Sequence, residues 1–154
     1  MKVLGVKVSS QCVRYAMLNK DAQGNIVFCN RDENRLLFPR DADSEVKKMK
    51  WLWDRFERLL SLETDIHKIV LKLPEAGRVE TNASRLSHYL DAVILLVATK
   101  RNEPIPVIGK TYRALHTRGA DVLNHVQGAG IPRTEHYWDV LMGDAIAAAL
   151  AGLE

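Results

Sequence analysis

The sequence predicts an α/β fold: a mixed five-stranded sheet whose first three strands run antiparallel, whose later strands run parallel, and whose faces are flanked by helices. Three observations predict it. The chain opens on a meander of apolar strands separated by short polar turns. It then alternates helix, strand, helix and strand. Between strand 67–73 and strand 105–108 lies enough chain for a parallel crossover through a long helix.

Taken in order, residues 2–8 and 12–18 read as strands with a tight connection around Ser9–Gln11. A third strand is expected at 25–31, "NIVFCNR", after the turn signal "KDAQGN". In "DADSEVKKMKWLWDRFERLLSLE", Val46, Met49, Trp53, Phe56 and Leu60 recur at helical spacing, which predicts a helix over 44–62 capped by Asp43 or Ser44. "HKIVLKLP" reads as a buried strand that Pro74 ends. A polar loop, "EAGRVETNAS", leads into a second helix, "SRLSHYLDAVILLVATKR", apolar along Leu86, Leu90, Val93, Ile94 and Val97 and capped by Asn82 or Ser84. "PIPVIG" fits a short last strand with prolines at its ends or on an edge. Short helical pieces broken at Gly119 and Gly128–Pro132 then lead to a closing helix from about Glu135.

With 154 residues and no linker, repeat or low-complexity tract, one domain over 1–154 is expected. Hydrophobic residues make up 47% and charged ones 27%, so no disordered or fibrous class applies. The formal charge of +3 permits phosphate or nucleic-acid contact without requiring it. The longest late apolar run, "AVILLVA", has 7 residues, whereas a membrane span takes about 20. The start lacks signal-peptide character, and a cytoplasmic location is expected. Cys12 and Cys29 each fall in a predicted strand and form no C-x-x-C pair, so both read as reduced core residues.

Three residues stand where their surroundings do not call for charge. Lys7 interrupts the apolar run "VLGVKV". Either residues 3, 5 and 7 form a less buried face from which the amine snorkels to water, or Lys7 points into a cleft or toward a buried carboxylate. Lys72 repeats the puzzle in "KIVLKLP"; if the two strands are neighbours, the ammonium groups need a shared anion. Asp144 lies on an Ala-rich helix, "GDAIAAALAGL", with no obviously polar side, and a carboxylate there should be paired or functional. Asp139, beside Trp138 in the first turns of that helix, suits the helix dipole and reads as structural.

These stretches carry a resemblance. "VLGVKVSSQCVRYAML" resembles the first hairpin of the RuvC-type Holliday junction resolvases, within the ribonuclease H-like superfamily, with Arg14 and Tyr15 near that hairpin's Gly-Tyr pair. "KIVLKLP" is similar to the family's fourth strand, and "GDAIAAAL" to its final helix. The resemblance implies a ribonuclease H-like fold and a carboxylate cluster holding two divalent ions for phosphodiester hydrolysis. Carried onto this chain, the first-strand Asp falls on Lys7 and the fourth-strand Glu on Lys72. The final Asp falls on Asp144, and the further acid three residues before it on Leu141. An ammonium has no lone pair to offer a cation and repels it. A Lys7–Lys72–Asp144 cluster in place of the metal site is therefore expected, with no metal or other cofactor; Mg or Mn enters only if the centre is rebuilt.

Glu75 could rebuild part of it by reaching back across Pro74, which gives the alternative of a metal-dependent nuclease using Glu75, Asp139 and Asp144. The rest of that loop, with Arg78, Glu80 and Arg85, reads as solvated surface. Lys110, Arg113, Arg118 and Arg133, interspersed with Tyr112, His116, His125 and Tyr137, are candidate phosphate contacts against the alternative of an ordinary basic surface. His67, His88, His116, His125 and His136 show no zinc spacing, and no P-loop, dinucleotide fingerprint or nucleophile elbow is present. Trp51, with Leu52 and Leu59, widens the apolar stripe of helix 44–62, which raises an isologous homodimer through that helix. Three functions follow: a non-catalytic module binding nucleic acid or protein, the rebuilt nuclease, and a structural protein-interaction module that dimerises.

Overall fold

The computed structural model describes residues 1–75, 77, 79–111, 115, 131 and 139–154. Strands β1 (Lys2–Val8) and β2 (Cys12–Lys20) pair antiparallel over the whole of β1, from Lys2 opposite Asn19 to Val8 opposite Val13. Ser9 closes the hairpin: its hydroxyl donates to the Cys12 carbonyl at 2.8 Å and accepts from the Cys12 amide at 3.1 Å.

The third strand is shorter than the sequence suggests. β3 (Ile26–Phe28) ends early, and a separate β4 (Arg35–Leu37) pairs with the far end of the same β2 edge. Asn30 explains the break. Its side-chain oxygen accepts from the Met17 amide at 2.6 Å, while its side-chain nitrogen donates to the carbonyls of Tyr15 and Glu33 at 3.0 and 2.9 Å. A buried amide thus satisfies the β2 edge where strand backbone would otherwise be needed. Cys29 falls in this interruption and is exposed rather than in the core, whereas Cys12 is buried; both are free thiols.

β5 (Ile66–Lys72) runs parallel to β1, and β6 (Val107–Lys110) runs parallel to β5. The sheet therefore has six strands in the order β3-β2-β1-β5-β6, with β4 also on β2; β4 is the strand added to the expected five.

Helices α1 (Glu45–Leu62) and α2 (Asn82–Thr99) cover one face over a core that includes Leu4, Val6, Tyr15, Phe56, Ile69 and Leu90. Ser44 caps α1 by accepting from the Lys47 amide at 3.3 Å, while Asp43 pairs with the Lys47 ammonium at 2.8 Å. Val46, expected in the buried stripe, is 74% exposed. α2 begins at Asn82, two residues before the Ser84 that the sequence suggests. Thr81 caps it rather than Asn82 or Ser84, in a reciprocal box with Ser84: amide to hydroxyl distances are 3.1 and 2.7 Å.

The other face carries α3 (Val140–Leu153), buried on almost every side and capped by Asp139, whose carboxylate accepts from the Met142 amide at 2.8 Å. Its start is at Val140; the expected beginning at Glu135, and the short helical pieces before it, lie outside the described residues. Two glycines let α3 lie against the strands. A Cβ on Gly5 would come within 2.0 Å of the Ala145 carbonyl oxygen and 2.4 Å of the Ala149 nitrogen, and one on Gly152 would meet Val3 and Val70 side chains at 2.6 and 2.8 Å.

Candidate functional site at the first turn of the last helix

Strand alternation decides where Lys7 points. Leu4, Val6 and Val8 belong to the core under α1 and α2, whereas Val3 packs with α3 and Gly5 touches its backbone. Lys7 shares their face. Residues 3, 5 and 7 are thus not a lightly covered side of β1, since Val3 and Gly5 are fully covered by α3; Lys7 is half-buried at the end of that covered row.

The same reasoning places Lys72. Val70 packs with α3, while Ile69 and Leu71 face the other way. β1 and β5 are adjacent and parallel with Val6 beside Leu71, so the register carried one residue on sets Lys7 beside Lys72, on one face and about 5 Å apart in backbone. Lys72 is only 6% exposed, and its ammonium donates to the Leu73 carbonyl at 2.9 Å.

α3 brings the carboxylates. Ala145 lies on Gly5, one strand period before Lys7, so the first two turns of α3 sit at the level of the two lysines. Asp144, 7% exposed, belongs to that stretch, two turns before the Gly152 that meets Val70 of β5. Asp139 is engaged on both oxygens: one accepts from the Met142 amide, and the other pairs with the Arg14 guanidinium at 2.5 Å.

Arg14 is the residue that reading the sequence missed. It lies directly across from Lys7 on β2, is 2% exposed, and also donates to the Asn34 side-chain oxygen at 3.2 Å. A cation inside the apolar strand "CVRYAML" gives the same signal that singled out Lys7. Lys110 ends β6 opposite Lys72. Glu75 is half-buried directly after Pro74, Glu80 is exposed, and Arg85 donates to the Asn82 side-chain oxygen at 3.1 Å. Arg78, Arg113, Arg118 and Arg133, with Tyr112, His116, His125, His136 and Tyr137, lie outside the described residues.

A second buried carboxylate was also unforeseen. Asp91 of α2 is 7% exposed, and burial pushes its carboxyl up from 3.8 to about 7, with the nearby Lys7 ammonium pulling the other way. Because the folded form holds its proton more tightly than the unfolded form, this group's contribution falls as pH rises from about 4 to about 7. Urea unfolding across that window should show Asp91→Asn gaining stability relative to the parent as pH increases. An unchanged difference between the two proteins would show Asp91 to be ordinary.

Among the described residues, no three His, Cys, Asp or Glu side chains converge as a group able to hold a metal ion. The chemistry of the donors agrees: the seats beside α3 carry ammonium and guanidinium groups, which cannot ligate a hard cation. No described helix is long and apolar enough to cross a membrane.

No protein-family model matches the chain. A putative gustatory receptor 59d of Drosophila melanogaster is 33% identical over 86 residues, which is 54% of this chain; the match spans about a fifth (21%) of that receptor. The structural likenesses reach much further. RuvC of Thermus thermophilus superposes with a TM-score of 0.74 at 15% identity, covering 98% of this chain and 92% of that one. RuvC of the same organism in complex with Holliday junction substrate gives 0.74 at 13% identity, with the same coverage. The yeast mitochondrial Holliday junction resolvase Ydc2 gives 0.61 at 16%, covering 97% of this chain and 77% of its own. At these identities the likeness is one of fold, and the chain has the ribonuclease H-like fold of the RuvC-type resolvases.

Proposed function

We infer that the chain is a non-catalytic nucleic-acid-binding module in which a Lys7–Lys72–Asp144 cluster takes the place of a metal centre. The observation that carries this is the register of β1 and β5, which sets two lysines side by side on the face beneath α3. Those are the positions that the resemblance aligns with two of the family's carboxylates. Ammonium groups at these two positions suit a phosphate and oppose a divalent cation. A solved relative in fold is bound to a Holliday junction, which makes branched DNA the first ligand to try.

Titration of the whole chain with branched, duplex and single-stranded DNA at two salt concentrations, with Mg²⁺ or Mn²⁺ present, tests the reading. Saturable, salt-sensitive binding without cleavage is expected; metal-dependent cleavage, or no binding, would overturn it.

The nuclease alternative requires Glu75, Asp139 and Asp144 to act together, and Asp139 is already held by Arg14 and by the α3 amide. The dimer reading turns on the apolar stripe of α1, part of which is used within the chain. Trp51 meets the Phe38 ring edge-on at 5.3 Å within the chain, and Leu52 is fully buried. Exposed apolar side chains stand on both long helices, Val46 and Leu62 at the ends of α1 and Tyr89, Leu95 and Leu96 on α2. The free thiols support a cytoplasmic location.

A further inference from the structure

On the face of the sheet away from α3, one tyrosine is buried with nothing for its hydroxyl to bond. Tyr15 of β2 is 2% exposed and belongs to the core under α1 and α2. Its hydroxyl makes no hydrogen bond with any described residue. Phenylalanine would fill a core position equally well, and a buried polar group without a partner calls for a reason. Tyr15 lines a cavity of about 180 Å³ between the sheet and α1.

Three parts of the chain build the rest of that cavity. Arg55, Arg58, Leu59 and Leu62 stand at helical spacing on one flank of α1. Leu36 of β4 faces them from the sheet. Glu33 comes from the interruption between β3 and β4, and the Tyr15 amide donates to the carbonyl of the next residue, Asn34, at 3.1 Å. The break that Asn30 makes in the sheet edge thus sets a carboxylate at the mouth.

The mouth carries charges of both signs. Glu33, Arg55 and Arg58 are exposed, and none of them forms an ion pair with a described residue; Arg55 lies over the Trp51 ring at 5.5 Å. Burial and then the Glu33 carboxylate push the Tyr15 hydroxyl's pKa up, while Arg55 pulls it down. The hydroxyl therefore keeps its proton and can both donate and accept. A simple anion in this cavity would meet Glu33, and a simple cation would meet two guanidinium groups. A zwitterion satisfies both, and the leucines suit an apolar group attached to it. Since a cavity of roughly 150 Å³ admits a benzene ring, this one takes an amino acid the size of leucine rather than a nucleotide.

We propose that this cavity binds a free apolar α-amino acid, with its carboxylate on Arg55 and Arg58, its ammonium between Glu33 and the Tyr15 hydroxyl oxygen, and its side chain against Leu36, Leu59 and Leu62. The site lies on the opposite face of the sheet from α3 and is independent of the DNA-binding reading.

Titration of the full chain with leucine, followed by amide chemical shifts in NMR spectra, tests this. Isocaproate and isoamylamine serve as probes that lack the ammonium or the carboxylate. Leucine should shift resonances of the cavity residues saturably, and each truncated probe should bind about tenfold more weakly or worse, one charge-assisted contact being lost. Glu33→Gln and Arg55→Gln alter exposed side chains and should each weaken leucine binding by a similar factor, whereas Lys47→Gln in the first turn of α1 should not. Tyr15→Phe should weaken leucine binding and leave the thermal midpoint unchanged or higher, because no hydrogen bond within the chain goes with the hydroxyl. A purely structural hydroxyl would instead lower the midpoint. Absence of a saturable shift with leucine, truncated probes binding as tightly as leucine, or unchanged binding in Glu33→Gln would each overturn the proposal. Should Tyr15→Phe fail to fold, Glu33→Gln and the truncated probes decide.

Discussion

Gly5→Ala should remove much of the stability of the fold. The added methyl carbon would stand 2.0 Å from the Ala145 carbonyl oxygen and 2.4 Å from the Ala149 nitrogen, both backbone atoms of α3. Flexible side chains can move aside from an added methyl; a helix backbone has to shift as a body. The expected cost lies at or above the upper end of the roughly 1–3 kcal/mol typical of overpacked cores. Gly5→Val should be worse. α3 also carries Asp139 and Asp144, so lifting it from β1 would draw both carboxylates away from the basic residues beneath. Thermal and urea unfolding measure the first effect, and DNA binding the second. Gly24→Ala is the control: Gly24 has φ of +90° but nothing within 4 Å of its added carbon, so only about 1 kcal/mol of backbone strain is expected there. Equal losses at the two glycines would show that α3 does not rest on Gly5.

The second large effect concerns Asp144. If the carboxylate neutralises Lys7 and Lys72, then Asp144→Leu strands positive charge in a buried setting, and about 3–5 kcal/mol should be lost. Removing charge from both sides should behave differently. Asp144→Leu combined with Lys72→Met replaces an ionic contact by apolar packing of similar volume, and such exchanges are often neutral or stabilising. The double variant should therefore recover most of what the single one loses, with a coupling energy well above the few tenths expected of independent sites. A harmless Asp144→Leu, or a double variant as unstable as the sum of its parts, would remove Asp144 from the cluster.

Much of this fold could be read from local pattern because local pattern is what forms it. β1, β2, α1 and α2 follow from alternation or helical spacing over 7 to 18 residues, and the structure places them within a turn of where the sequence does. β4 escaped notice because 3 residues carry too little pattern, and because the break before it depends on the Asn30 amide reaching Met17 and Tyr15. The start of α2 was misjudged for a related reason: its cap is a reciprocal Thr81–Ser84 contact, while the apolar stripe begins only at Leu86. Val46 obeyed the helical period but lies at the outer end of α1, where nothing packs over it.

The site was legible in part. Lys7, Lys72 and Asp144 announced themselves as charges in apolar segments. Arg14 and Asp91 give the same signal, each a charge amid apolar neighbours in "CVRYAML" and "HYLDAVILLV". What one sequence could not supply is register. That Arg35, Arg14, Lys7, Lys72 and Lys110 fall in line depends on pairings between strands far apart in the chain, and no spacing along the chain encodes such an alignment.

The claim on which the account turns is that amines occupy the places of metal-binding carboxylates. The most direct measurement is a crystal of the protein soaked in Mn²⁺, with anomalous scattering recorded around Asp144 of α3. The account predicts no manganese peak beside Asp144, with the Lys7 and Lys72 side chains turned toward that carboxylate. A manganese ion coordinated by Asp144, with Glu75 or Asp139 swung in to complete its ligands, would contradict it and restore the chain to the nucleases.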